Sequence, residues 1–207
     1  MENNINIDKN LPLLICDADE VIFNFMDSFD EFLNQNNMYF SYETFKLNGN
    51  ILKKENNKPV NSGEIPSIIS NFFKQYAIKM PLIKGSKEVL YELSSLINII
   101  ILSNIPKSSS LSRIHCLKQN DMHYTFISNE GPKNIRCMEL EKLTNKKVFF
   151  MDDLPNQLSA VGKSCKNIIT IHFLQNKKLI KIIPKVQNCN YKVNNWNDVK
   201  KIIINNI

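Results

Sequence analysis

The chain has 207 residues, 43% of them apolar, enough for one core domain with a modest insertion. Its net charge of +6 comes from an excess of lysine, and no Lys/Arg cluster is interleaved with aromatics, so the basic balance describes a solvated surface and not a nucleic-acid footprint. No apolar run approaches membrane-spanning length, MENNINIDKN lacks the regions of a signal peptide, and Cys16, Cys116, Cys137, Cys165 and Cys189 form no CxxC pair, which together predict a cytoplasmic protein with free thiols and no membrane partner.

In chain order, the first predicted element is a strand in LPLLIC (11–16), stopping at Asp17. Ile22, Phe25, Met26, Phe29, Phe32 and Leu33 recur at three- and four-residue steps and predict an amphipathic helix over 22–35. NQNN and the stretch from Gly49 to Pro59 are polar and turn-rich, with no period. Ile65, Ile68, Ile69, Phe72, Phe73 and Tyr76 predict a second helix over 64–78. Its aromatics and the Phe25–Phe32 stripe read as packing within the insertion. Pro81 and Gly85 punctuate the chain before a third helix, with Ser86 as its N-cap and Val89, Leu90, Leu93 and Leu96 inward.

The remainder alternates regularly. A strand at 98–102 ends at Ser103 and is followed by a helix opening near Pro106. A strand at 124–128 leads to Gly131-Pro132-Lys133 and a helix over 134–144. A strand at 147–151 ends at Asp152, and Pro155 starts a helix with Leu158 and Val161 inward. NIITIHF (167–173) reads as another strand and Trp196 to Ile204 as a closing helix. The pattern predicts an α/β fold, a Rossmann-like parallel sheet flanked by helices. Residues 1–23 and 81–207 form the expected core. Residues 24–80, with two helices and no evident strand, form an expected helical cap inserted after the first strand. His115, His123 and His172 have no ligand spacing and are assigned to surface or strand positions.

Asp17-Ala-Asp19, Ser103 and Asp152-Asp153 each follow an apolar run. In open parallel sheets, ligands bind in the crevice at the carboxyl ends of the strands. Three such strands in one sheet therefore carry acid, hydroxyl and acid pair to one place. Individually these residues are also ordinary turn formers, and Asp153 is equally placed to cap the helix that starts at Pro155.

The order hhhhDxDxV, hhhSN, Lys and hhhhDD resembles the haloacid dehalogenase superfamily of phosphohydrolases, over roughly 11–23 and 81–207. The resemblance implies that Asp17 is a nucleophile toward phosphorus and that Asp19 is the general acid and base. Ser103, Asn104 and Lys133 would bind the substrate phosphate. Mg²⁺ would be held by Asp17, the Asp19 backbone carbonyl and Asp152, with Asp153 the next candidate ligand. Converging carboxylates and a phosphate dianion exceed what one lysine neutralises, so a dication is expected. The implied substrate is a small phosphorylated metabolite, a sugar phosphate or nucleotide by default.

Two positions depart from the pattern: Glu20 stands where glycine is usual, and Asn156 or Gln157 where an acid is usual. The alternatives are an inactive binding or regulatory module on the same fold, or a phosphotransferase or mutase of the same superfamily. Dehalogenases of the superfamily need neither Asp19 nor the acid pair. Phosphoryl-accepting receiver domains place these groups in another order.

Overall fold

The computed structural model describes residues 5–187 and 189–207, so the first four residues of the expected core segment 1–23 lie outside it. Six parallel strands form the sheet: β1 (Leu13–Cys16), β4 (Asn98–Ser103), β5 (Thr125–Ser128), β6 (Val148–Asp152), β7 (Ile168–Phe173) and β8 (Tyr191–Val193). Their spatial order is β5-β4-β1-β6-β7-β8. Counted within the sheet alone this is 3-2-1-4-5-6, the doubly wound order, whose switch point lies between β1 and β6. β1 and β6 are buried along their whole length, as expected of strands covered on both faces.

Alternation divides the core into two faces. Leu14, Cys16, Ile99, Ile101, Phe149 and Met151 face one way, against α3 (Ser86–Leu93), α4 (Ser110–Gln119) and α8 (Trp196–Asn206). Leu13, Ile15, Ile100, Leu102, Val148 and Phe150 face the other, against α5 (Asn134–Glu141) and α6 (Pro155–Ser164). The Trp196 indole N–H donates to the Val21 carbonyl at 3.0 Å, tying α8 to the loop after β1. Among the described residues no helix is long and apolar enough to cross a membrane.

Between β1 and α3 the chain carries α1 (Phe25–Gln35) and α2 (Ile65–Tyr76), whose apolar faces meet through aromatic rings. Phe72 sits at the centre, its ring 5.1 to 5.6 Å from those of Phe25, Phe29, Phe32, Phe73 and Tyr76. The insertion, in which no strand was evident from the sequence, also carries a short hairpin. Met38–Phe40 (β2) pairs antiparallel with Ile51–Lys53 (β3). The buried Asn50 stitches the loop between them, accepting from the Ser41 hydroxyl at 2.8 Å and donating to the Thr44 hydroxyl at 2.6 Å and the Lys46 carbonyl at 2.8 Å.

Other boundaries differ for local reasons. Ser86 is the first residue of α3 and not its cap. Gly85, at φ +87°, makes the turn, and the Ser86 hydroxyl donates to the Ile22 carbonyl at 3.3 Å. The helix ends at Leu93, so Leu96 is exposed instead of inward. The segment after Pro106 begins as a 3₁₀ turn over Lys107–Ser109 before α4. A one-turn helix, α7 (Lys177–Ile180), and strand β8 were not expected from the sequence.

Candidate active site

Register places the acids. Cys16 pairs with Met151, and the Asp17 N–H donates to the Met151 carbonyl at 2.9 Å, which sets Asp17 beside Asp152 at the switch point. Ser103 closes β4, on the other side of β1. Carboxylate oxygens of Asp17, Asp152 and Asp153 all lie within 4.8 Å of one another, and all three residues are buried.

Lys133, at the start of α5 and 2% exposed, binds across the cluster. Its Nζ donates to Asp17 Oδ1 at 2.5 Å and to Asp152 Oδ2 at 2.7 Å. Burial alone would lower the ammonium pKa, but the Asp152 and Asp17 charges outweigh it and raise the value, so Lys133 is cationic. Three carboxylates against one ammonium leave two negative charges when all are ionised. Two of the acids, Asp17 and Asp153, are shifted toward their protonated forms. Burial, reinforced by Asp152 and Asp19 and partly offset by Lys133, pushes the Asp17 carboxyl up to about 7. Burial, then Asp152 and Asp17, pushes Asp153 well above the usual carboxylate range.

A dication fits this donor set. It matches the two uncompensated charges, its ligands would all be hard oxygens, and the three carboxylates are already gathered. Asp152 and Asp153 divide the roles that the sequence left open. Asp152 Oδ1 accepts from the Leu154 N–H at 2.9 Å, a turn-forming bond, while Oδ2 binds Lys133. Asp153 is not the helix cap: Leu154 occupies that position, with no side-chain bond, and the Asp153 carboxylate joins the cluster. The buried His172 on β7, its pKa lowered chiefly by burial, holds the Asp153 backbone, with Nε2 2.9 Å from the Asp153 carbonyl.

Asp19 faces elsewhere. Its Oδ2 accepts from the Ser103 hydroxyl at 3.0 Å and its Oδ1 from Arg113 of α4 at 2.5 Å. Arg113 is fully buried, stacks on Phe23 at 4.2 Å, and places its other guanidinium contacts on the Met80 sulfur at 3.8 to 3.9 Å. Sequence reasoning missed it. Ser103, expected on a phosphate, bonds Asp19 in this structure. Asn104 is exposed and bridges two loops, donating to the Gly131 carbonyl at 2.8 Å and accepting from Asn129 at 2.8 Å.

Both departures from the family pattern have local uses. Glu20 sits at φ +59°, the left-handed region that glycine adopts without strain, which accounts for glycine being usual there. Its buried carboxylate accepts the Met26 N–H at 2.8 Å, satisfying an orphan donor in the first turn of α1. Gln157 Oε1 accepts the Lys133 backbone N–H at 2.9 Å and so places the lysine, while Asn156 stays exposed.

A cavity of about 320 Å³ opens over Asp17, Asp19, Lys133 and Asp153 and extends beneath the insertion to Phe25, Ile69 and Phe73.

No family model matches the sequence, and no curated protein matches it either. Solved structures do match. A haloacid dehalogenase-like family hydrolase from Streptococcus pneumoniae superposes with a TM-score of 0.62 at 10% identity, covering 94% of this chain and 99% of the other. A Clostridium difficile protein described as a phosphatase gives 0.63 at 16%, over 95% and 100%. A Bacteroides vulgatus protein described as a β-phosphoglucomutase gives 0.57 at 15%, over 95% and 88%. The chain therefore has the haloacid dehalogenase-like fold, matched over 94 to 95% of its length at sequence identities that establish fold alone.

Proposed function

We propose that the chain is a Mg²⁺-dependent phosphomonoesterase working through a phosphorylated Asp17. The observation that carries the reading is the Lys133 ammonium shared between Asp17 and Asp152, with Asp153 closing the cluster beneath a cavity. That arrangement leaves a site short of two positive charges at the mouth of a parallel sheet. Lys133 occupies Asp17 Oδ1, so Oδ2 is the oxygen free to attack phosphorus. Bond formation from that oxygen and departure of the substrate alkoxide give an aspartyl-phosphate. Asp19 protonates the departing oxygen, then takes a proton from the water that cleaves the acyl phosphate. Asp17, Asp152, Asp153 and the Asp19 carbonyl would hold the cation. When bound it offsets their charge and that of the phosphate dianion.

Ser103 has a single hydrogen to give. A phosphate oxygen that takes it releases Asp19 from one of its two anchors, and substrate binding thereby frees the acid to turn toward the leaving group. Glu20 and Gln157 support the local backbone and remove no group that the chemistry needs, which weakens the case for an inactive module.

Uncatalysed phosphate-monoester hydrolysis is so slow that enzymes accelerate it by up to ~10²¹, so loss of the nucleophile leaves no measurable background. The test is a screen of phosphomonoesters with Mg²⁺ using wild type and Asp17→Asn, with mass spectrometry of the peptide carrying residue 17 in an Asp19→Asn background. Turnover by wild type alone and a phosphoryl adduct on Asp17 are expected. A wild type inert toward every phosphomonoester, or an Asp17→Asn protein as active as wild type, overturns the reading.

A further inference from the structure

Beyond the acids, Lys133 and a few polar groups, the cavity wall is apolar, and its chemistry narrows the substrate. We infer, resting on the phosphomonoesterase reading, that the group carrying the phosphate is itself apolar, an alkyl or aryl alcohol instead of a sugar or nucleoside. The wall is supplied by Phe25 of α1, Phe45 and Leu47 of the β2–β3 loop, Ile69 of α2, Leu179 of α7 and Ile183 after it. Phe25, Phe45, Leu47 and Ile69 are only half-buried, although each packs against the main core at its rim.

The polar groups at this wall are few and mostly committed. The Glu20 carboxylate accepts the Met26 N–H, and both ends of the Gln157 amide bind backbone, at the Lys133 N–H and the Gly131 carbonyl. The Asn104 amide is taken up by Gly131 and Asn129, which leaves the second Glu20 oxygen, Lys46 and Asn156, the last two at exposed positions. A hexose placed here would strip water from its hydroxyls without a matching set of donors and acceptors, which is unfavourable for each group left unpaired. An alkyl or aryl body would exchange water for apolar contact along its length.

The wall is also built in advance. The Asn50 bonds fix the loop carrying Phe45 and Leu47. Tyr42 in the same loop donates to Asp30 of α1 at 2.7 Å, and Lys178 of α7 binds the same Asp30 oxygen at 2.8 Å. One carboxylate thus ties together three of the elements that line the cavity. A volume of about 320 Å³ lies at the low end for ligand sites, suited to one phosphate and a short body.

The experiment compares full-length protein with Mg²⁺ on n-alkyl phosphates from methyl to hexyl and on hexose 6-phosphates, all primary alkyl monoesters. We expect kcat/KM to rise about fourfold per methylene, the factor equivalent to burying one CH₂, and hexyl phosphate to exceed every hexose phosphate. Ile69→Asn and Phe45→Ser should each flatten that slope, with melting curves confirming that the variants are folded. A slope that is flat in wild type, or preference for a hexose phosphate, overturns the inference and assigns the wall to packing between insertion and core, while the phosphatase reading stands. If no phosphomonoester turns over, that reading falls, and calorimetry with alkylphosphonates still decides this one. Hexylphosphonate binding several-fold tighter than methylphosphonate upholds the apolar site, and equal binding rejects it.

Discussion

Asp17 is a liability to the metal-free fold, and the size of the liability depends on pH. Burial is the main reason its carboxyl is raised from 3.8 to about 7. An acid with a raised folded pKa contributes stability that is fully present below the unfolded value and is lost as pH rises through the folded value. The window runs from about 4 to about 7. At roughly 1.4 kcal/mol per pKa unit, the loss is about 4 kcal/mol once the pH has passed 7. Asp17→Asn is neutral and isosteric, and its amide oxygen can still accept from Lys133. The variant forfeits the Asp17–Lys133 charge attraction, but Lys133 keeps Asp152 at 2.7 Å. Allowing for that loss, the variant should exceed wild type by roughly 2–4 kcal/mol near pH 8 in chelator, a melting shift of roughly 5–12 °C. His172 titrates in both proteins and largely cancels in the difference, whereas Asp153, raised in part by the Asp17 charge, is relieved in the variant and adds to the gap.

Urea denaturation of the two proteins in chelator, from about pH 5 to about pH 8, measures the effect directly. The gap should widen by roughly 2–3 kcal/mol across that range. Saturating Mg²⁺ should narrow that gap by stabilising wild type, by ~2.7 kcal/mol at one hundred times its Kd, and the variant less. An Asp17→Asn protein no more stable than wild type at pH 8, or a gap that does not change with pH, would refute the assignment of Asp17 as an acid whose burial outweighs its pairing with Lys133.

Arg113→Met leaves Asp19 anchored by Ser103 alone, and kcat/KM should fall roughly 10- to 100-fold further for an alkyl phosphate than for an activated aryl phosphate, whose leaving group needs no proton. Equal losses on both substrates would make Arg113 a packing residue only. Gly85→Ala forces a side chain into φ +87° and sets its Cβ 3.3 Å from the Trp196 Cβ, so denaturation should show a loss of about 1–2 kcal/mol. No measurable loss would mean that the turn has an alternative geometry. Phe72→Ala empties the middle of the aromatic cluster between α1 and α2 and should cost about 3–5 kcal/mol. A cost below about 1 kcal/mol would show that the insertion is held by other contacts.

The parts of this molecule that were legible in its sequence are those whose signal is local. LPLLIC, INIIIL and KKVFFM announce buried strands because central parallel strands are apolar on both faces, and the abrupt polar residue after each marks the sheet's carboxyl edge. The β2–β3 hairpin was illegible because each strand has three residues and buries only one, Phe40 or Ile51. No period can be read from so short a run. Gly85 against Ser86 shows a type preference overruled by a turn, since the serine hydroxyl had a partner in Ile22, 64 residues away. The placement of the site's side chains was hidden for the same reason. Gln157 reaches Lys133 across 24 residues, and Arg113 reaches Asp19 across 94. Yet Arg113 did carry a trace. It lies three and four residues before Cys116 and Leu117, on the buried stripe of α4. A guanidinium on such a stripe has to find an anion inside the protein. A charge that breaks an apolar stripe is therefore a pointer to the site even when no motif contains it. Here it points to Asp19, the residue proposed to protonate the leaving group.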